Sequence, residues 1–176
     1  MNIYYIDELR EFNLFENYQY AIPHKGAKFI RDNLFLPNAK PDSIPLDPNQ
    51  KILLVYHKSH NVKSSGFRVL LQTIPDQSYI IQIRAAMLWD NKAFIYVETI
   101  DGIRLVPRTH NFIPGMGEQR FTINFKAKDH FTWIGVLFFY GNENGKLEIH
   151  EFFVTENDPI FDIENIPTKG VAENRI

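Results

Sequence analysis

An all-β, jelly-roll-like antiparallel sandwich of about eight strands, with an extended arm at each end, is the fold the sequence predicts. Three observations predict it. QRFTINFKA alternates without a fault, Phe121, Ile123, Phe125 and Ala127 facing one way and Arg120, Thr122, Asn124 and Lys126 the other. That period of two is the signature of a half-buried strand. Seven further stretches of strand composition follow one another between clusters of Gly, Pro, Asn and Asp, with no helical segments between them. Strands that are not interleaved with helices close into a sandwich or barrel.

Taken in order, those stretches are KILLVYH, FRVLLQTI, SYIIQIRAAML, KAFIYVET, IRLVP, TWIGVLFFY and KLEIHEFFV. SYIIQIRAAML turns Tyr79, Ile81, Ile83, Ala85 and Met87 inward and Gln82 and Arg84 outward. TWIGVLFFY is apolar on both faces, as a central strand covered on both sides would be. Only the stretch around YIDELREF has helical spacing, at Tyr5, Leu9 and Phe12.

Composition bounds the function. The 176 residues include 44% hydrophobic and 14% aromatic side chains, 15 of them Phe, enough for a core of its own. Mean hydropathy of −0.26 fits neither a membrane protein nor a disordered chain. The start, MNIYYIDELREF, has acids where a signal peptide needs bases and then an apolar run, so synthesis in the cytoplasm is expected. No apolar run is long enough for membrane insertion. The absence of Cys removes disulfides, thiolate nucleophiles and thiolate metal sites. A pI near 6.3 argues against nucleic acid as a partner.

Charge divides the chain in three. Residues 1–50 form an N-terminal arm of net −2, with Pro37, Pro41, Pro45 and Pro48 barring a helix at its end. Residues 51–154 are a sandwich domain with 12 bases and 9 acids, and 155–176 an acidic arm of net −3. Both arms keep apolar anchors: Phe29, Ile30, Leu34, Phe35 and Leu36 in one, Ile160, Phe161, Ile163 and Ile166 in the other. Such arms are expected to dock on the body or on neighbouring subunits.

Two hairpins follow from the alternation. With Trp89-Asp90-Asn91 as a tip, Arg84 falls opposite Tyr96, Gln82 opposite Glu98, and Ala86 opposite Phe94; the inward residues match as well. Ile100-Asp101-Gly102 fits a three-residue loop that sets Glu98 opposite Arg104 and Val97 opposite Leu105. Together they predict a continuous outward patch of Gln82, Arg84, Phe94, Tyr96, Glu98 and Arg104.

The body, from SYIIQIRAAMLWDNKAFIYVET through QRFTINFKAKD to TWIGVLFFYGNENGKLEIHEFFV, resembles the galactose-binding-like jelly rolls of many carbohydrate-binding modules. Those modules share a Tyr-initiated strand, a Phe-x-Phe strand (here F-T-I-N-F), an apolar strand and a closing strand after an Asn-Gly-type turn. The resemblance implies the architecture and a choice among glycan binding, protein binding and particle assembly. It also implies exposed aromatics on a sheet face or loop tip, for which Tyr96 and Trp89 are the nearest equivalents.

Chemistry on the residues themselves is sparse. No G-x-S-x-G occurs, and FIPGMGEQRF runs into a strand where a phosphate loop needs a helix. Histidines 57, 60, 110, 130 and 150 include no H-x-H pair, and Asp76, Asp90 and Asp101 read as turn formers before calcium ligands. Glu98 opposite Arg104 would be a charged ion pair, unsuited to general acid work. Neither catalysis, metal nor cofactor is expected. The candidate ligand-binding residues are Gln82, Arg84, Trp89, Phe94, Tyr96 and Glu98, whose aromatic faces and polar groups suit a sugar. The expectation is a non-catalytic structural or adaptor subunit of a larger assembly such as a virion, with protein subunits as partners. The alternative is a lectin-like module with carbohydrate as its partner.

Overall fold

A computed structural model describes residues 5–6, 11–17, 21–24, 27–31, 34–35, 51–57, 65–139 and 143–157. Its N-terminal elements are β1 (Tyr5–Ile6), β2 (Glu11–Asn13), α1 (Leu14–Asn17), β3 (Ile22–His24), β4 (Ala27–Arg31) and β5 (Leu34–Phe35). The body continues with β6 (Ile52–Tyr56), β7 (Ser65–Gln72), β8 (Ser78–Met87), β9 (Ala93–Thr99) and β10 (Asn111–Phe112). It closes with β11 (Glu118–Lys126), β12 (Phe131–Phe138) and β13 (Gly145–Glu156).

Two sheets face each other. The first runs β1-β7-β12-β9-β10, with β3 beside the other half of β7; the second runs β11-β8-β13-β6-β4-β5, with β2 beside β13. All pairs are antiparallel except β1 on β7. The predicted all-β sandwich is therefore the fold. Alternation decides which residues fill the space between the sheets. Ile81, Ile83 and Ala85 enter it from β8, Ile95 and Val97 from β9, and Ile134 and Val136 from β12. Central β12 is buried on both faces, as its unbroken apolar sequence requires. Phe121, Ile123, Phe125 and Ala127 face inward from β11, and Arg120, Thr122, Asn124 and Lys126 are exposed.

Pro75 and Asp76 make the turn before β8, Gln77 N–H donating to the Ile74 carbonyl with Asp76 at φ 68°. Asp is among the few side chains that tolerate that left-handed conformation. Gly102 at φ 87° makes the turn after β9. The predicted second hairpin is present in register, Glu98 opposite Arg104 and Leu105 N–H donating to the Val97 carbonyl. It is an isolated bridge, so IRLVP does not form the expected strand.

Three expectations need correction. Tyr5–Ile6 and Glu11–Asn13, in the stretch of helical spacing, are strands, and the single described helical turn is Leu14–Asn17. Asn13 Oδ1 caps that turn by accepting from Phe15 N–H at 2.9 Å. Second, the N-terminal residues do more than dock. Phe12, Leu14, Phe15, Ala27 and Phe29 are buried in the same core as the body strands. Third, β8 and β9 are not a hairpin: β8 pairs with β11 and β13, and β9 with β12 and β10. Pro37, Pro41, Pro45, Pro48, Leu36 and the anchors Ile160, Phe161, Ile163 and Ile166 lie outside the described residues.

Candidate functional site

The crossing from β8 to β9 carries Trp89. Asn91, buried in that crossing, fixes it. Its backbone N–H donates to the Asn144 carbonyl at 3.2 Å, and its side-chain amide donates to the carbonyls of Phe139 and Glu143 at 3.2 and 3.1 Å. Leu88 N–H donates to the Lys146 carbonyl, and Phe139 N–H to that of Lys92. Two loops are thereby strapped together at one end of the sandwich. Between them lies a depression of about 300 Å³ lined by Leu88, Trp89, Asp90, Glu143 and Asn144. The half-buried Trp89 ring is held by the Lys146 ammonium, 5.4 Å from its centroid, and by the His57 ring at 5.7 Å. Asp90 and Glu143 stand exposed at its rim. An indole wall beside carboxylates offers a flat apolar surface next to hydrogen-bond acceptors.

The other five predicted site residues divide between two faces. Phe94, Tyr96 and Glu98 lie on the outward side of the first sheet, where β12 sets Leu137 beside Phe94, Gly135 beside Tyr96 and Trp133 beside Glu98. The rings of Phe94, Tyr96 and Trp133 are 8–9% exposed and form a separate apolar cluster with Leu70 and Leu137. Arg68 covers Trp133 at 4.1 Å and Arg108 covers Phe94 at 4.6 Å. Sequence reasoning did not single out Trp133, Arg68 or Arg108: the pairing with β12 brings the first two to β9, and the loop before β10 brings Arg108. The Tyr96 hydroxyl donates to Glu98 Oε1 at 3.1 Å, and burial followed by the Glu98 charge pushes its phenol above the usual range. The ion partner of Glu98 is Arg108, at 2.9 Å, in place of the predicted Arg104. The loop after the hairpin, not the hairpin itself, supplies the cation.

Gln82 and Arg84 lie on the opposite side of the molecule, outward on β8. The predicted continuous patch is not formed, because the two halves of it belong to different sheets. Arg84 joins a polar network there. Its Nη1 meets Glu118 Oε2 at 3.1 Å, the same oxygen contacts His150 Nδ1, and His150 Nε2 lies 2.6 Å from Glu148 Oε1. Lys51 closes the other end on Glu148 at 3.0 Å. His150 is the extra residue of a bulge, where β13 shifts register against β8 between Ile149 and Glu151. Glu118 is held below the usual carboxylate range chiefly by hydrogen bonding to His150. At Glu148 burial pulls upward, but hydrogen bonds from His150 and Lys51 prevail and lower it. Charged, paired carboxylates of this kind hold strands together rather than deliver protons. Among the described residues no His, Asp and Glu side chains are grouped to hold a metal ion.

Among solved structures, the chain is similar to the CBM22-1 xylan-binding domain from Paenibacillus barcinonensis Xyn10C (TM-score 0.51, 9% identity). That match covers 85% of this chain and 97% of that one. It is also similar to the arabinose-bound MgGH51 α-L-arabinofuranosidase (TM-score 0.55, 11% identity, 90% of this chain) and to an exo-β-agarase (TM-score 0.55, 10% identity, 85% of this chain). The chain spans only 27% and 26% of those two enzymes' lengths. No protein-family model and no curated protein matches the chain. At these identities the likeness is one of fold: a β-sandwich of the carbohydrate-binding-module type.

Proposed function

We propose that the chain is a non-catalytic glycan-binding module whose ligand is a neutral sugar held against Trp89. The observation that carries this reading is the depression at the loop end, where an indole ring, Asp90 and Glu143 meet around about 300 Å³, room for one or two sugar rings. Pyranose C–H bonds pack on the indole face, and the two carboxylates accept protons from hydroxyl groups. The asparagine strap holds Glu143 and Asn144 beside the Trp89 crossing before binding, which limits the ordering cost of association. A xylan-binding domain matched over almost its whole length supports the same reading.

Hydrolysis is not part of the proposal. A general acid needs a raised pKa inside an apolar cleft, and Asp90 and Glu143 stand exposed at a rim. Assembly through terminal arms is the second reading. Its anchors at residues 160–166 lie outside the described residues.

Affinity electrophoresis through gels containing neutral polysaccharides, xylan among them, tests the proposal. Retardation should occur with at least one polymer and should vanish in Trp89→Ala, whose melting temperature stays close to that of the parent. Light scattering provides the other arm. A stable oligomer with no retardation by any neutral glycan would replace sugar binding with assembly.

A further inference from the structure

The outward face of the first sheet carries features that the Trp89 depression does not use. Above its apolar cluster the covering groups are cationic. Arg68 and Arg108 stand over Trp133 and Phe94, Lys92 stands two residues before Phe94 with Nζ 6.0 Å from the Phe139 ring, and exposed Arg104 sits opposite Glu98. Glu98 is the only carboxylate on the outward positions of the described strands of this sheet, and Tyr96 and Arg108 already occupy it. Arg68 on β7 and Lys92, Arg104 and Arg108 in the adjoining loops thus surround the one strand carboxylate, Glu98. Concentrating one sign on one face creates a field that gathers ligands of the other.

Two further atoms narrow the ligand. Arg108 Nε, a donor, and Asn111 Oδ1, an acceptor, are buried without a hydrogen-bond partner. They are neighbours, because Asn111 pairs in register with Phe94, the ring that Arg108 covers. Buried polar atoms are ordinarily paired, so this strip is short of one acceptor and one donor. We propose that this face binds an acidic polysaccharide, independently of the Trp89 site. Its carboxylate or sulfate groups meet Arg108, Arg104 and Lys92, and the half-buried Asn111 side chain turns its Oδ1 outward to accept from a sugar hydroxyl. The phosphodiester of DNA supplies the anion but no hydroxyl donor, and the guanidinium groups over Trp133 and Phe94 leave no open ring for a base to stack on.

The experiment is affinity electrophoresis with polygalacturonic acid in the gel, with equal charge concentrations of single-stranded DNA in a parallel gel. The intact chain should be retarded by polygalacturonate. The Lys92→Ala/Arg104→Ala double variant should weaken that binding about tenfold, as should salt above physiological strength. Both side chains are exposed, so the variant should fold, and an unchanged melting temperature verifies it. Trp89→Ala should bind polygalacturonate like the parent. No retardation by polygalacturonate would overturn the proposal, and so would retardation that the double variant retains. Equal or stronger retardation by DNA would overturn it in favour of general polyanion binding. Because the Trp89 reading is tested with neutral polymers, either proposal can fail without the other.

Discussion

His150 shows how one extra backbone residue can organise a surface. The bulge at that position in β13 lays the imidazole between Glu118 and Glu148, two carboxylates that flank Ala86 across neighbouring strands. A carboxylate lies at each ring nitrogen, and both nitrogens donate only when the ring is protonated. Because both glutamates have lowered pKa values in the fold, their contribution is present above the ordinary value of 4.5 and is lost as pH falls through the lower folded values. Stability should therefore fall on the acid side, below about pH 4.5. Glu148→Gln should cost up to about 1 kcal/mol at pH 7 and little at pH 3, where the parent carboxyl is being protonated too. Urea unfolding at the two pH values checks this. An equal loss at both would mean that Glu148 acts through packing.

At the scale of the strands, alternation settled more than pairing. The inward and outward sides of β8, β9 and β11 were readable because a period of two is a local property of the chain. The partner of β8 was not, since residues facing each other across a sandwich match in burial as well as residues paired in a hairpin do. Ile83 with Val97 and Ala85 with Ile95 fitted both arrangements. What decides between them is Asn91, whose three hydrogen bonds to the β12–β13 connection pull the β8–β9 crossing between sheets. Of the candidate site residues, Trp89 was legible from its place between strands, but the apolar neighbours of Tyr96, Leu70, Trp133 and Leu137, lie on strands that only the topology brings near. Two stability predictions belong here. Phe125→Ala should cost about 3–5 kcal/mol and exposed Asn124→Ala no more than about half a kcal/mol. In β12, a side chain at Gly135 would place its Cβ 2.0 Å from the Phe67 carbonyl oxygen, a backbone atom that cannot step aside. Gly135→Ala should thus exceed the usual overpacking cost of about 1–3 kcal/mol and lower the melting temperature by many degrees. A near-normal melting curve would show that β7 and β12 can part locally.

For the molecule as a whole, the N-terminal strands change what counts as the domain. Composition separates residues 1–50 from the body, yet β2 and β4 lie in one sheet and β1 and β3 in the other, and the core includes Phe12, Leu14 and Phe29. Each such side chain contributes about 1.5–3 kcal/mol when fully buried, against a total stability of about 5–15 kcal/mol. Residues 51–176 alone should therefore lack a cooperative thermal transition. A sharp calorimetric peak from that fragment would restore the N-terminal segment to the status of an arm.

The pairing of β2 with β13 joins Phe12 to Val154, almost opposite ends of the described chain. During synthesis the first strands emerge long before their partner exists. Until β13 leaves the ribosome, Phe12 and Leu14 have no place to go, and half of the second sheet has an open edge. Folding must then wait for the whole chain, and so many distant pairings place it among slow folders, on the scale of milliseconds to seconds. In that interval its apolar strands and open edges are exposed to pairing with those of neighbouring chains.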